Sequence, residues 1–218
     1  MTSKNDLGRK SVFREYAEAI VIALILALFI RTFVVQAFKI PSGSMKPSLL
    51  IGDHLLVSKF AYGIRNPFSG EVWVNLGEPR RHDVVVFRFP LDPSQNYIKR
   101  VIALPGETVA IRDKTVYVDG VPLDDPWAMF LDPKIYPAAQ QPRDNLEPLT
   151  VGPGEMFVLG DNRDNSLDSR FWGTVETRAL KGRAFVLYWS WDWEESRVRW
   201  SRLGQRIIGG SGGGVSGG

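Results

Sequence analysis

The sequence predicts a mainly β protein: an N-terminal transmembrane helix followed by a coiled, partly closed β-sheet domain that carries a small inserted cap. Three observations predict it. From residue 53 onward the apolar residues come in short runs, rich in β-branched and aromatic side chains and bounded by Gly, Pro, Asn and Asp. Residues 19–30 read AIVIALILALFI, with no polar interruption. Residues 121–153 are rich in proline and polar groups yet carry Trp127, Met129 and Phe130, as a segment packed onto a β core does.

In chain order, residues 1–15 form a basic N-terminus with Lys4, Arg9, Lys10 and Arg14, which keeps that end cytoplasmic. The strict apolar run measures about 18 Å as a helix, against a hydrocarbon core of about 30 Å. An anchor over 16–38 has enough length if Arg31 snorkels to the headgroups. The same run fits the apolar region of a removable signal peptide, with Val35, Gln36 and Ala37 as a cleavage-like triplet, and a buried core helix is a third reading. The first two readings put the bulk of the chain outside the cytoplasm. Strands are expected at 55–62, 83–89, 97–104, 107–112, 115–120, 155–160 and 182–191. The β core therefore spans 39–120 and 154–208, interrupted by the cap at 121–153, and the glycine-rich 209–218 is a linker or an appended tail without chemistry. Trp189, Trp191 and Trp193 fall on one strand face, suited either to a membrane interface or to core packing.

Composition removes several function classes. At 44% hydrophobic and 23% charged, the chain is an ordinary folded domain rather than a disordered one. Cysteine is absent, so neither a disulfide framework nor a thiolate metal or redox site exists. A net charge of +3 without a basic block argues against a nucleic-acid partner. A histidine triad or metal site has only His54 and His82 to draw on.

Three segments carry chemistry. FKIPSGSMKPSLLIGD (38–53) is a constrained turn with Ser42 and Ser44, which in isolation are ordinary turn serines. In NYIKRVIALPGE, alternation places Lys99 with Tyr97 and Val101 and sets Arg100 on the opposite face, so one of the two cations faces inward. If that one is Lys99, burial lowers its pKa and makes the neutral amine a base. GDNRDNSLDSR (160–170) is dense in hydrogen-bonding groups; as a calcium loop it fails, with Leu167 where an EF-hand needs Gly and no Glu at the twelfth position.

With these segments in this order, the sequence resembles bacterial type I signal peptidase, the leader peptidase family of Ser/Lys serine endopeptidases. The P-S-G-S-M-x-P turn, the Y-I-K-R strand, the G-D-N-R-D-N-S-x-D-S-R loop and the later RWSRLGQRI carry the likeness, which spans nearly all of residues 16–207. It departs from the family at Ser48, where threonine is commoner, at His82, where glycine is commoner, and at Asn96, where an acid occurs. A different Ser/Lys hydrolase, such as a self-cleaving repressor peptidase, and a membrane-tethered β domain that binds partners are the alternative readings.

The resemblance implies that Ser44 is the nucleophile and neutral Lys99 its general base, within about 2.6 to 3.2 Å of each other. Ser166 then orients the lysine amine, and Ser42 with the Ser44 N–H forms the oxyanion hole. Asp161, Asp168 and Arg170 build the loop around the site through ion pairs that include Arg100. Phe38, Ile40, Met45, Leu49, Val86, Tyr97 and Ile98 line shallow apolar pockets that select small side chains before the cut, as in Ala-x-Ala ends. It further implies signal peptides of preproteins as substrate, the lipid bilayer and the protein-export machinery as partners, the outer side of the bacterial inner membrane as location, and neither cofactor nor metal.

Overall fold

Residue 84 opens a run, VVVFRF, whose first four residues are all buried, because both faces of this strand are covered. In the computed structural model, which describes residues 12–65, 72–74 and 76–209, this run is the centre of the larger sheet. The basic N-terminus up to residue 11 and the glycine tail from 210 lie outside the described residues.

The strands are β1 (Val35–Lys39), β2 (Asp53–Ser58), β3 (Ile64–Arg65), β4 (Val72–Val74), β5 (Val84–Phe89), β6 (Asp92–Ala103) and β7 (Thr108–Arg112). They continue as β8 (Thr115–Val118), β9 (Val121–Pro122), β10 (Leu146–Thr150), β11 (Glu155–Leu159), β12 (Val175–Glu176), β13 (Leu180–Asp192) and β14 (Arg197–Val198). The larger sheet runs β1-β2-β13-β5-β6-β11-β12, with β14 on β13; β10-β7-β8-β9 form a second sheet and β3-β4 a hairpin. Among the described residues the named strands pair antiparallel, and one isolated parallel bridge joins Met129 to Asn162. Each of the seven predicted runs overlaps a strand, with β2, β6 and β13 starting before the run that predicted them. Between β8 and β9, Asp119 and Gly120 both have positive φ (51° and 78°), the geometry a two-residue Asp-Gly hairpin turn needs.

Alternation along β5 divides the core. Val84 and Val86 join Leu55, Val57 and Leu187 on one side, while Val85 and Phe87 join Val101, Met156 and Val158 on the other. A third cluster, including Ile102, Phe157 and Leu159, fills the space against Val109, Ile111 and Val116 of the second sheet.

The N-terminal region corrects one expectation. Helix α1 covers Val12–Phe29, a five-residue π turn covers Ile30–Val34, and residues 35–38, predicted as the end of a helical anchor, belong to β1. Their backbone groups pair with β2, from Val35 opposite Ser58 to Lys39 opposite His54, and Phe38 packs on the core; sheet pairing and burial outweigh continuation of the helix. The cleavage-like triplet Val35-Gln36-Ala37 thus sits inside a paired strand. No helix among the described residues is long and apolar enough to cross a membrane, since α1 carries Arg14, Glu15 and Glu18 in its first turns. Lys59 Nζ donates to the carbonyls of Arg31 and Thr32 at 3.0 and 2.9 Å, satisfying the helix's outgoing end from the β domain.

Residues 121–153 contribute β9 and β10 to the second sheet, and the chain between them is stitched to the 161–164 loop. Met129 N donates to Asp161 O at 2.7 Å and Arg163 N to Met129 O at 2.9 Å, while Asp164 accepts from Leu131 N, Asp132 N and Lys114 Nζ.

Candidate active site

The turn after β1 is held by its own apolar residues. Met45 and Leu49 are fully buried in the cluster beneath it, Leu49 N donates to Met45 O at 2.8 Å, and the exposed Pro41 and Ser42 are left on the outside. Ser44 is thereby presented to β6, where Lys99 stands opposite Val85. Ser44 Oγ and Lys99 Nζ are 2.6 Å apart. Ser42 Oγ lies 3.5 Å from Ser44 Oγ.

Lys99 is only 3% exposed. Burial lowers its pKa from 10.5 to about 8; Asp168 and Asp161 pull it back up, and Arg170 pushes it down. A large part of the population therefore carries a neutral amine at mildly alkaline pH.

Arg100 corrects a second expectation, since alternation required only one inward cation and both are buried, Arg100 at 1% exposed. Its face is not solvent but an ion pair: Nε and a terminal nitrogen meet the two oxygens of Asp161 at 2.8 and 2.7 Å, and the other terminal nitrogen donates to His82 O and Ile208 O. The Trp127 ring covers the guanidinium at 4.2 Å and is itself 4.9 Å from the His82 ring. His82 adopts φ 70°, the left-handed region that glycine enters freely and a residue with a Cβ enters only at a cost.

The 160–170 loop uses its charges internally. Asp168 accepts from Gly160 N at 3.0 Å and from Arg170 Nε and a terminal nitrogen at 2.8 Å each. Burial pushes the Asp168 carboxyl up, but the Arg170 charge and these hydrogen bonds outweigh it and hold it below the usual carboxylate range. Arg170 also donates to the carbonyls of Arg143 and Arg163, tying the cap to the loop. With Asp161, Asp164 and Asp168 paired to Arg100, Lys114 and Arg170, these carboxylates are occupied by cations of the chain itself, and no cluster of three or more metal-ligating side chains occurs among the described residues.

Ser166 is buried, and its Oγ has no well-aligned hydrogen-bond partner among the described residues, though it lies near enough to Asp168 to help hold that carboxyl's pKa down. Of the pocket residues, Ile40, Met45, Leu49 and Val86 are buried together, with Phe38 and Ile98 partly exposed against them. Tyr97 is on the other face, stacked on Phe89 at 4.3 Å and near Trp172. His54 is remote from this chemistry, edge-on to Tyr188.

Two residues escaped the sequence reading. Gly160 has no room for a side chain: a Cβ there would lie 2.2 Å from Ser166 Oγ and 2.5 Å from Ser44 O. Its presence in the loop was visible; the close approach, set by tertiary packing, was not. Trp127 had no signal linking it to Arg100.

The family described as signal peptidase, peptidase S26, matches residues 13–189. Signal peptidase I of Pseudomonas aeruginosa is 39% identical over 214 residues, covering 85% of this chain and 75% of the relative. Signal peptidase I of Mycobacterium tuberculosis is 35% identical over 221 residues, covering 84% and 74%. A solved signal peptidase I from Enterococcus faecalis is 32% identical with a TM-score of 0.40, covering 50% of this chain and 98% of that one. The chain belongs to the signal peptidase family, peptidase S26, and is a peptidase.

Proposed function

We propose that this peptidase removes N-terminal signal peptides from exported preproteins at the outer face of the bacterial inner membrane, with Ser44 as nucleophile and neutral Lys99 as general base. The observation that carries this reading is the 2.6 Å contact between Ser44 Oγ and a Lys99 amine that is 3% exposed. Serine is a weak nucleophile while protonated, and an amine with a pKa of about 8 takes its proton near physiological pH.

In the acylation step the Ser44 hydroxyl donates its proton to Lys99 Nζ as Oγ attacks the scissile carbonyl. The Ser44 N–H and the Ser42 hydroxyl receive the developing oxyanion. The ammonium then protonates the departing amine, which becomes the new N-terminus of the mature protein. Water, deprotonated by Lys99, hydrolyses the ester and releases the signal peptide as a carboxylate. Ser166, buried with its Oγ beside Gly160, is the residue that would hold the amine toward Ser44.

The membrane part of the reading is supported by side chains that no core covers. Ile20, Leu24 and Leu28 of α1 are each more than half exposed, as are Trp193 and Trp200 on the β domain. An apolar helix and exposed tryptophans suit a lipid surface, and a tether holding Ser44 near that surface raises its effective concentration at membrane-held substrates. Carbonate extraction tests the anchor: the protein stays with the membrane, and release into the supernatant refutes it.

Cleavage of a preprotein in detergent tests the chemistry. Ser44→Ala and Lys99→Ala each abolish cleavage in folded protein, and kcat/KM falls about tenfold per pH unit below about 8. Retained cleavage in both variants refutes the dyad.

A further inference from the structure

Asn162 has no task in the chemistry above, yet it is buried (4% exposed) directly behind the nucleophile's turn. Its backbone N–H donates to Ser44 O at 3.1 Å, and its side-chain Nδ2 donates to Gly43 O at 3.1 Å. Asn165 Nδ2 donates to Asn162 Oδ1 at 3.2 Å, which settles which end of the amide faces Gly43. Two successive carbonyls of the turn are therefore held by one residue.

The consequence lies in peptide geometry. The Gly43 carbonyl and the Ser44 N–H belong to one planar trans unit and point to opposite sides of the chain. Whatever holds the carbonyl sets the direction of the N–H. Such a unit following glycine rotates at little cost, because Gly43 has no Cβ to restrict it. Within the turn itself Gly43 O receives only the 3.2 Å bond from Lys46 N, and the Ser44 N–H makes no hydrogen bond among the described residues.

We propose that Asn162 is a positioning residue for the oxyanion hole: its amide, oriented by Asn165, fixes the Gly43–Ser44 peptide so that the Ser44 N–H is aimed at the developing oxyanion. The inference rests on the proposed roles of Ser44 and its N–H. Asn162 acts in the transition state without touching substrate, so its loss lowers kcat and spares KM. Lys99 is untouched, so the acidic midpoint of the rate profile stays in place.

The test uses the full chain in detergent, a preprotein substrate, and the variants Asn162→Leu, which is similar in shape, uncharged and unable to donate, and Asn165→Ala, which keeps the donor but frees its orientation. For Asn162→Leu the expected result is a kcat lower by roughly 10 to 100 fold, with KM within about threefold and the acidic midpoint unchanged. Asn165→Ala gives a smaller loss of the same form, and it decides the matter if Asn162→Leu does not fold. An unchanged kcat in folded protein overturns the proposal, as does a parallel loss of kcat, KM and melting temperature, which marks a purely structural role. Ser44→Ala separates the two levels: if it still cleaves, the nucleophile assignment has failed; if it is inactive while the asparagine variants keep full kcat, only the role of Asn162 has.

Discussion

Replacing Lys99 by methionine should make the enzyme inactive and more stable. The side chain is nearly the same length and apolar, and it enters a site that burial already makes hostile to charge: the lysine's pKa falls from 10.5 to about 8. That drop corresponds to about 3 kcal/mol of stability that the wild type forfeits at pH 7. The sign follows from proton counting. Between pH 8 and 10.5 the unfolded chain still binds the lysine proton while the folded chain has released it, so stability from this group rises with pH across that window and is lost as pH falls through 8. Methionine removes the dependence, at the cost of about 1 kcal/mol for the lost contact to Ser44 Oγ. Urea denaturation of both proteins at pH 7 and pH 10 checks it, and other titrating groups cancel in the difference. The variant is expected to be roughly 2 kcal/mol more stable at pH 7, with the advantage disappearing by pH 10. A variant less stable at pH 7, or a difference independent of pH, refutes the argument that Lys99 is held against its charge.

Gly160→Ala places a methyl group 2.2 Å from Ser166 Oγ and 2.5 Å from the Ser44 carbonyl, so Ser44 must shift; activity falls about 100-fold, while a stability loss of about 1 to 3 kcal/mol lowers the melting temperature by only several degrees. Kinetics within threefold of wild type would show that the loop gives way without moving the nucleophile. Asp161→Ala leaves the buried Arg100 guanidinium unpaired and costs about 3 to 5 kcal/mol, measured by denaturant titration; a loss under 1 kcal/mol would mean that Trp127 and the carbonyl acceptors suffice. Arg170→Met removes a positive charge that lowers the Lys99 pKa and unmasks Asp168, which raises it, so the acidic limb of the rate profile moves to higher pH. A limb that stays in place in the folded variant counts against that electrostatic coupling.

The strands were legible because each run carries its own signal. VVVF in β5 is apolar on both faces since two core clusters meet there, and the Asp-Gly after β8 announces its turn. The alternation along β6 was legible too, with Tyr97 and Val101 in one cluster and Ile98 in another. What alternation cannot reveal is what covers each face. Alternation puts Arg100 opposite Lys99 and says nothing of its surroundings; an ion pair for it was expected only from the resemblance, and its cover comes from Trp127 and Asp161, 27 and 61 positions along the chain. The helix end at Phe29 was hidden for a related reason: residues 35–38 are apolar enough to continue a helix, and only pairing with β2 makes them a strand. The meeting of Ser44 with Lys99 has no local signature at all. It was expected from the resemblance, since a turn serine and a strand lysine 55 residues apart carry no mark of contact.

The two neighbouring cations of β6 explain why the proposed Ser44–Lys99 chemistry calls for both a buried amine and a charged loop. Arg100 cannot shed its proton, so burying it demands a carboxylate, and Asp161 supplies one in bidentate geometry. Lys99 can shed its proton, so burying it next to a hydroxyl instead of a carboxylate lowers its pKa toward neutrality. Had Asp161 or Asp168 paired directly with Lys99, the amine would stay charged and could not serve as a base. Arg100 and Arg170 prevent that by engaging both carboxylates at 2.7 to 2.8 Å. In the proposed mechanism the ion pairs of the 160–170 loop therefore act by exclusion: they occupy the negative charges that would otherwise keep the Lys99 amine protonated.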